Sequence, residues 1–375
     1  MKFLHTADWH LGAYVGPQCS PEERMKKTRQ CLDVLLAEAR ANEPDLILIA
    51  GDLFHTAKVW AERGLMEVGA ASEYLGALRR IAPVAVLYGT PNHDGEKQFD
   101  ILRQMNAHED DRWDADFFTR PELRTLETRN GPIQIAGLPG FDKGHFRALN
   151  PGLSAEEENV FFSQQLAAIV EGLSAQLDPN IPSVLMAHHT VVGCELDNGN
   201  HVFQTNEVVL PAAALDNSRF DYVCLGHIHK RQRVRACNAP VFYAGSVDSF
   251  TFNDEGVNKG FWIHDTQGDS ERFDTPAREF QTERWTQEET QRYVSGEPFS
   301  CAYQVKDKVV RVLYTCNADT EKALDKRKLE RDLYAAGAYY VTEIRPESIT
   351  ASVNRETLHD RLTPEECLSQ YLNEK

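Results

Sequence analysis

Along the first half of the chain, apolar residues come in short runs that end abruptly in polar ones. "KFLHTAD", "DLILIAGD" and "PVAVLYG" each read as a strand, and residues 21–43 and 61–82 between them read as helices. Alternation of this kind predicts buried sheets flanked by helices. After about residue 115 the strands shorten to "ADFFT", "LRTLET" and "PIQIAGL". A long amphipathic helix near 154–177 precedes the strand "PSVLMAH", and "DYVCLGHIH", "QRVRAC" and "PVFYAGS" follow as further strands. Two sheets packed face to face with helices outside, an α/β (α+β) arrangement, account for the mixture. The pattern changes again near "DTPAREFQTERW". Beyond it "DKVVRVLYTC" reads as a strand, residues 318–336 as a charged helix and "AYYVTEIRP" as a strand, which together make a small strand–helix–strand domain. In the polar tail "LTPEECLSQYL", Thr363 is placed to cap a final helix with Glu366 three residues on.

The strand ends carry the chemistry. "HTADWHLG" puts Asp8 and His10 just after the first strand, where two residues apart on an extended chain share a side. "LILIAGDLFH" ends in Asp52 and His55, and "VLYGTPNHDG" delivers Asn92, His93 and Asp94. "VLMAHHTVVG" supplies His188 and His189, and "YVCLGHIHKR" supplies His227 and His229. Singly, each has an ordinary explanation, because Asn and Asp favour turns for local backbone reasons. Five strand ends with the same polar chemistry are a different matter, since ligand sites in such sheets form at strand ends. Oxygen and nitrogen donors without thiolates suit manganese, iron or zinc. There are too many for one ion, which implies two metals sharing a bridging carboxylate.

Composition narrows the classes. A chain of 375 residues can bury more than one core. Its apolar runs are too short to cross a bilayer, and "MKFLHTADWH" lacks the long apolar stretch of a signal peptide. Eight scattered cysteines without a C-x-x-C pair suit reduced thiols, and the expected compartment is the cytoplasm. The net charge of −17, concentrated in the middle of the chain, argues against a bare basic surface for nucleic acid.

The order Asp-x-His, Gly-Asp, Asn-His-Asp, His, Gly-His-x-His resembles the calcineurin-like metallophosphoesterases. "LHTADWHLG", "AGDLFH", "HHTVVG" and "YAGSVDSFTFNDEGVNKGFW" resemble the SbcD-type nuclease branch of that superfamily. The resemblance implies a four-layer sandwich of two mixed β-sheets flanked by helices for residues 1–274. It further implies a DNA-capping-like domain over 275–350, and a tail at 351–375 that is a candidate partner-binding helix. One metal would take Asp8, His10, Asp52 and His229, and the other Asp52, Asn92, His188 and His227. Both ions are expected to be manganese, activating water for in-line attack on phosphorus without a covalent enzyme intermediate. His93 would give a proton to the leaving oxygen with Asp94 orienting its ring, and His55 would orient the phosphodiester. Tyr14, Lys230 and Arg231 are candidate DNA contacts, with Arg233 and Arg235 beyond them. In the family's usual form Gly, Asn and His are consecutive; here Gly89 lies earlier and Pro91 precedes Asn92. The implied activity is 3′-to-5′ exonuclease action on duplex DNA and endonuclease action on single strands or hairpins. The implied partner is an SbcC-type ATPase, the two forming a heterotetramer around a nuclease homodimer, with no membrane. The competing enzymatic reading is a phosphodiesterase or phosphatase for small molecules. A non-catalytic scaffold would require lost ligands, and none is lost.

Overall fold

Side-chain alternation along three neighbouring parallel strands sorts the core into layers. On β1 (Lys2–Thr6), β2 (Leu46–Ile49) and β3 (Val84–Leu87), Leu4, Ile47, Ile49, Val84 and Val86 point one way. Phe3, Leu46, Leu48, Ala85 and Leu87 point the other. Strands buried on both faces need cover on both faces. The first set packs against α1 (Pro21–Asn42), α2 (Glu62–Leu78) and α3 (Glu96–Met105). The second meets a second sheet.

The computed structural model describes residues 1–13, 21–57, 62–107, 113–141, 152, 154–196, 208–267, 269–297 and 304–347, and structural statements concern these. Further strands of the first half are β4 (Ala115–Phe118), β5 (Glu122–Thr128) and β6 (Gly131–Leu138). The helix α4 (Ala155–Ala175) starts at a capping box in which the Glu157 amide donates to Ser154 Oγ at 3.2 Å and the Ser154 amide to Glu157 Oε2 at 2.8 Å. There follow β7 (Ser183–His188), the short pair β8 (Thr190–Val191) and β9 (Val209–Leu210), α5 (Ala212–Asp216) and β10 (Tyr222–Gly226). Then come β11 (Gln232–Arg233), β12 (Val241–Tyr243), β13 (Gly260–Asp265) and β14 (Ser270–Asp274).

One six-stranded sheet runs β14-β13-β1-β2-β3-β4, the other β11-β12-β10-β7-β6-β5. Both are mixed: β1 to β4 are parallel, with β13 antiparallel to β1 and β14 antiparallel to β13, while β6, β7, β10 and β12 are parallel and β5 and β11 antiparallel to them. Ile133, Ile135, Val184, Met186 and Cys224 meet the first sheet, and Leu185, Leu225 and Tyr243 face α4 and α5. The result is helix, sheet, sheet, helix: the four-layer sandwich expected.

Between the layers lies a polar surprise. His5 and His264, which have no motif company, are fully buried. His5 Nε2 is 3.2 Å from the Leu225 carbonyl, His5 Nδ1 3.4 Å from His264 Nε2, and His264 Nδ1 2.7 Å from Ser270 Oγ. Burial lowers the His5 imidazole to about 3 and His264 well below its ordinary value, so both stay neutral and their ring nitrogens are satisfied in a chain.

The chain divides into two compact units after Gln281, with 307–309 belonging to the first. The second contains all but the first residues of β15 and β16 in a three-stranded sheet ordered β15 (Phe280–Trp285), β16 (Val309–Tyr314), β17 (Tyr340–Pro346), and the helices α6 (Gln287–Val294), α7 (Ala318–Ala323) and α8 (Lys326–Ala335). Trp285, Val310, Val312, Leu329 and Leu333 form its core. The single helix expected over 318–336 is two helices, because Asp325 caps a new one by accepting the Lys328 amide at 3.0 Å. No helix among the described residues is long and apolar enough to cross a membrane.

Candidate metal centre

At the carboxyl ends of the parallel strands the two sheets are joined by small residues. Ala7, just after β1, bridges to Ser246, just after β12, and Ala7, Ala50 and Ala244 form a buried cluster of their own. A Cβ on Gly226 would stand 2.1 Å from the Ala50 carbonyl oxygen. This closeness lets donors from both sheets face one another.

The backbone there is not the extended chain that the spacing of Asp8 and His10 suggests. Asp8, His10, Asp52 and His227 all have positive φ, at 51°, 43°, 51° and 90°. Left-handed backbone at a non-glycine residue costs on the order of 1–3 kcal/mol and gathers at functional sites. The strand β10 likewise stops at Gly226, so His227 and His229 sit on the loop beyond it. The convergence is made by left-handed turns, held by Asp8 N–H to Gly51 O at 3.0 Å and His10 N–H to Asp52 O at 3.1 Å.

Two groups of donors result. Asp8, His10 and His229 bring ligand atoms within 4.8 Å of one another, and so do Asp8, Asp52 and His188. His10 Nε2 lies 3.0 Å from His229 Nε2, 3.9 Å from Asp52 Oδ2 and 4.0 Å from Asp8 Oδ1. Asp52 Oδ2 also lies 3.2 Å from His188 Nε2, so this one oxygen faces both groups. His188 donates through Nδ1 to the Ala50 carbonyl at 2.7 Å, which fixes the tautomer with Nε2 unprotonated when a metal is bound. Neither His188 Nε2 nor His10 Nδ1 has a partner aligned for a hydrogen bond, although both are buried. Buried polar atoms are rarely left so. Burial alone would depress the His188 pKa, yet the Asp52 carboxylate raises it to about 10. Burial would raise Asp52, but His188 and His10 hold it well below the usual carboxylate range. This pocket attracts positive charge, and its N and O donors fit divalent metal ions. A pair of such ions would supply the charge that neutralises a phosphoester and lowers the pKa of water.

His227 enters differently. Its amide donates to both Asp8 carboxylate oxygens at 3.1 Å, and its ring meets that of His188 edge-on at 5.3 Å between centroids. Asn92 differs from these donors in its exposure. It is exposed at the tip of a turn in which the His93 and Asp94 amides donate to the Thr90 carbonyl at 2.8 and 2.9 Å. The two extra residues after Gly89 form that turn, and Pro91 sits where no amide hydrogen is needed. Thr90, unremarked in the sequence, donates to Asp52 through its amide and its hydroxyl.

His93 and His55 stand beside the first group. The ring centroids of His10 and His93 are 4.7 Å apart, those of His55 and His93 5.6 Å, and the ligand atoms of all three histidines fall within 4.8 Å. His93 Nδ1 donates to the His55 carbonyl at 2.6 Å, so Nε2 is the ring nitrogen not engaged in that bond. Here the structure corrects an expectation: Asp94 does not orient the His93 ring. Its buried carboxylate accepts the amides of Gly89 at 2.8 Å, Asp52 at 3.0 Å and Phe54 at 3.1 Å, clamping the two strand ends together. Burial and the nearby Asp52 charge raise its pKa to about 8, against the pull of these amides. Asp94→Ala strands three buried amides at about 1–3 kcal/mol each. We expect it to lower stability by several kcal/mol in a urea melt; a variant as stable as the parent contradicts the clamp.

Other sequence candidates fare unevenly. Arg231 donates to the Phe261 carbonyl at 3.3 Å, the Phe273 carbonyl at 2.5 Å and Asp274, and only 5% of its side chain is exposed. It braces β13 and β14 and is not free to contact DNA. Lys230 pairs with Glu195, while Arg233 and Arg235 are exposed. His189 is structural, with Nε2 3.0 Å from the Pro139 carbonyl. Tyr14, the tail 351–375 and His108, His145, His201 and His359 lie outside the described residues. Residues with no sequence signal also serve the site. Phe250 packs edge-on against His10 and His229, at 5.1 and 5.8 Å between centroids. Lys259, buried with Asp254, reaches the His229 carbonyl at 3.0 Å.

Residues 1–231 match the family model described as calcineurin-like phosphoesterase. The chain belongs to that family. The phosphoesterase is also 28% identical over 279 residues to the SbcD component of the nuclease SbcCD of Staphylococcus epidermidis, an alignment covering 71% of this chain and 66% of that protein. The chain thus aligns with just under two thirds of the length of that relative, and the resemblance to SbcD-type nucleases read from the motifs holds. Among solved structures, a dimetal phosphatase from Danio rerio superposes with a TM-score of 0.42 at 13% identity, over 70% of this phosphoesterase and 91% of that chain.

Proposed function

We propose that this phosphoesterase is a two-metal DNA nuclease acting with an SbcC-type ATPase in DNA repair and recombination. The observation that carries the reading is the Asp52 carboxylate facing two donor groups, with the His93 and His55 rings beside one of them. Asp8, His10, Asp52 and His229 hold one manganese ion, and Asp52, His188 and His227 belong to the other. His93 is the general acid and His55 orients the phosphodiester. The similarity to the SbcD component of a nuclease supports a DNA substrate and an SbcC-type partner. In this reading the second unit has the capping role, the assembly is a homodimer within a heterotetramer, and it works in the cytoplasm as a 3′-to-5′ duplex exonuclease and single-strand or hairpin endonuclease.

Charge supports the need for a partner. A chain of net charge −17 gains little from the counterion release that drives duplex binding. The isolated chain should therefore cleave duplex ends weakly, and strongly when an ATPase encloses the DNA. Cleavage of open and blocked duplex ends, with and without partner and ATP at several salt concentrations, checks this. A chromogenic phosphodiester should be hydrolysed without the partner. Full activity on duplex ends from the chain alone contradicts the partner, and activity confined to small phosphodiesters under all conditions contradicts the nuclease.

A further inference from the structure

We propose that Thr90, and not Asn92, supplies the neutral oxygen donor of the second metal position. The inference rests on the two-ion reading above and concerns where this chain departs from its family's usual spacing.

Thr90 touches the shared carboxylate twice. Its amide donates to Asp52 Oδ1 at 2.5 Å and its hydroxyl to Asp52 Oδ2 at 3.3 Å. That same Oδ2 lies 3.2 Å from His188 Nε2, the buried imidazole nitrogen with no aligned hydrogen-bond partner. The Thr90 hydroxyl and the His188 imidazole nitrogen therefore both face this one carboxylate oxygen. In donating its proton to Asp52, the Thr90 hydroxyl keeps both lone pairs for another partner. A neutral, hard oxygen of this kind suits manganese as an amide oxygen does.

The local chain is built for this approach. A Cβ on Gly89 would stand 2.2 Å from both the amide nitrogen and Oδ1 of Asp52, so only glycine lets the following residue come so close. Beyond Thr90, Asn92 is an exposed residue of the turn. Its backbone carbonyl accepts the Ala57 amide at 3.0 Å, which anchors the turn. The two inserted positions exchange the roles of Thr90 and Asn92: the residue directly after glycine lies on Asp52, and the asparagine becomes a surface residue of the turn.

The test is manganese binding to the full chain by equilibrium dialysis, with a thermal melt beside it. The parent, Thr90→Ser and Asn92→Ala should bind two ions. Thr90→Val keeps the branched shape and the backbone amide but lacks the hydroxyl. It should keep one tight ion and bind the second about 10- to 100-fold more weakly. Thr90→Ala removes the hydroxyl without an added methyl and gives the same comparison if Thr90→Val misfolds. Two ions bound with parental affinity in the folded hydroxyl-free variant, or loss of the second ion in Asn92→Ala, overturns the assignment. A parent chain binding a single ion overturns the two-ion reading and this assignment with it.

Discussion

Replacing Asp52 by Asn is expected to abolish phosphodiester cleavage and to release bound metal together. Its Oδ2 faces an imidazole from each donor group, 3.9 Å from His10 Nε2 and 3.2 Å from His188 Nε2. The amide has nearly the carboxylate's shape, and its oxygen can still accept the Thr90 amide. What it loses is charge. Asp52 is the group whose field holds a proton on His188, pushing that imidazole up to about 10 despite burial. Without it the pocket offers two cations one carboxylate, that of Asp8, among neutral imidazoles. Affinity at both positions should fall, because the residue is shared. Metal content of the purified variant, set beside turnover of a chromogenic phosphodiester, checks the prediction. Activity near that of the parent would remove Asp52 from the centre of the account.

His93→Ala should behave in the opposite way, retaining both ions and losing rate. The ring contributes to neither of the two donor groups that contain a carboxylate. Its Nδ1 is committed to the His55 carbonyl at 2.6 Å, so that under the proposed reading Nε2 would be the atom that transfers the proton. General acid–base groups contribute about 100- to 10,000-fold. The loss should depend on the leaving group. A deoxyribose oxygen leaves as a strongly basic alkoxide and needs the proton, whereas a nitrophenolate does not. DNA cleavage should therefore fall by the full factor and nitrophenyl phosphodiester hydrolysis by less than about tenfold. Equal losses on both substrates, or loss of metal, would show that His93 acts otherwise.

Much of this arrangement is legible in residue order because strand ends of parallel sheets are where the chain can pool polar groups. "LILIAGD" and "VLMAHH" state in one line that a fully buried strand terminates in a ligand-type residue. The layer order is legible for a related reason, since strands apolar on both faces require cover on both faces. What stays hidden is geometry that pattern does not encode. Periodicity treats Asp8 and His10 as neighbours on an extended chain, whereas left-handed backbone aims them. Asp94 looks like a partner for the adjacent His93, yet it satisfies amides of residues up to 42 positions away. Arg231 follows the H-x-H pair closely enough to read as a phosphate contact. Only the register of β13 and β14 reveals the carbonyls that hold it. The spacing shows Gly89 set apart from Asn92, but not that Thr90 lies on Asp52.

The most direct measurement is the number of manganese ions per chain in protein that is cleaving phosphodiesters. Titrating metal-free chain with manganese, while following bound metal and turnover in the same samples, gives both. Two bound ions are expected, with activity rising as the second site fills. Full turnover from a chain holding no more than one tightly bound transition ion contradicts the shared role of Asp52.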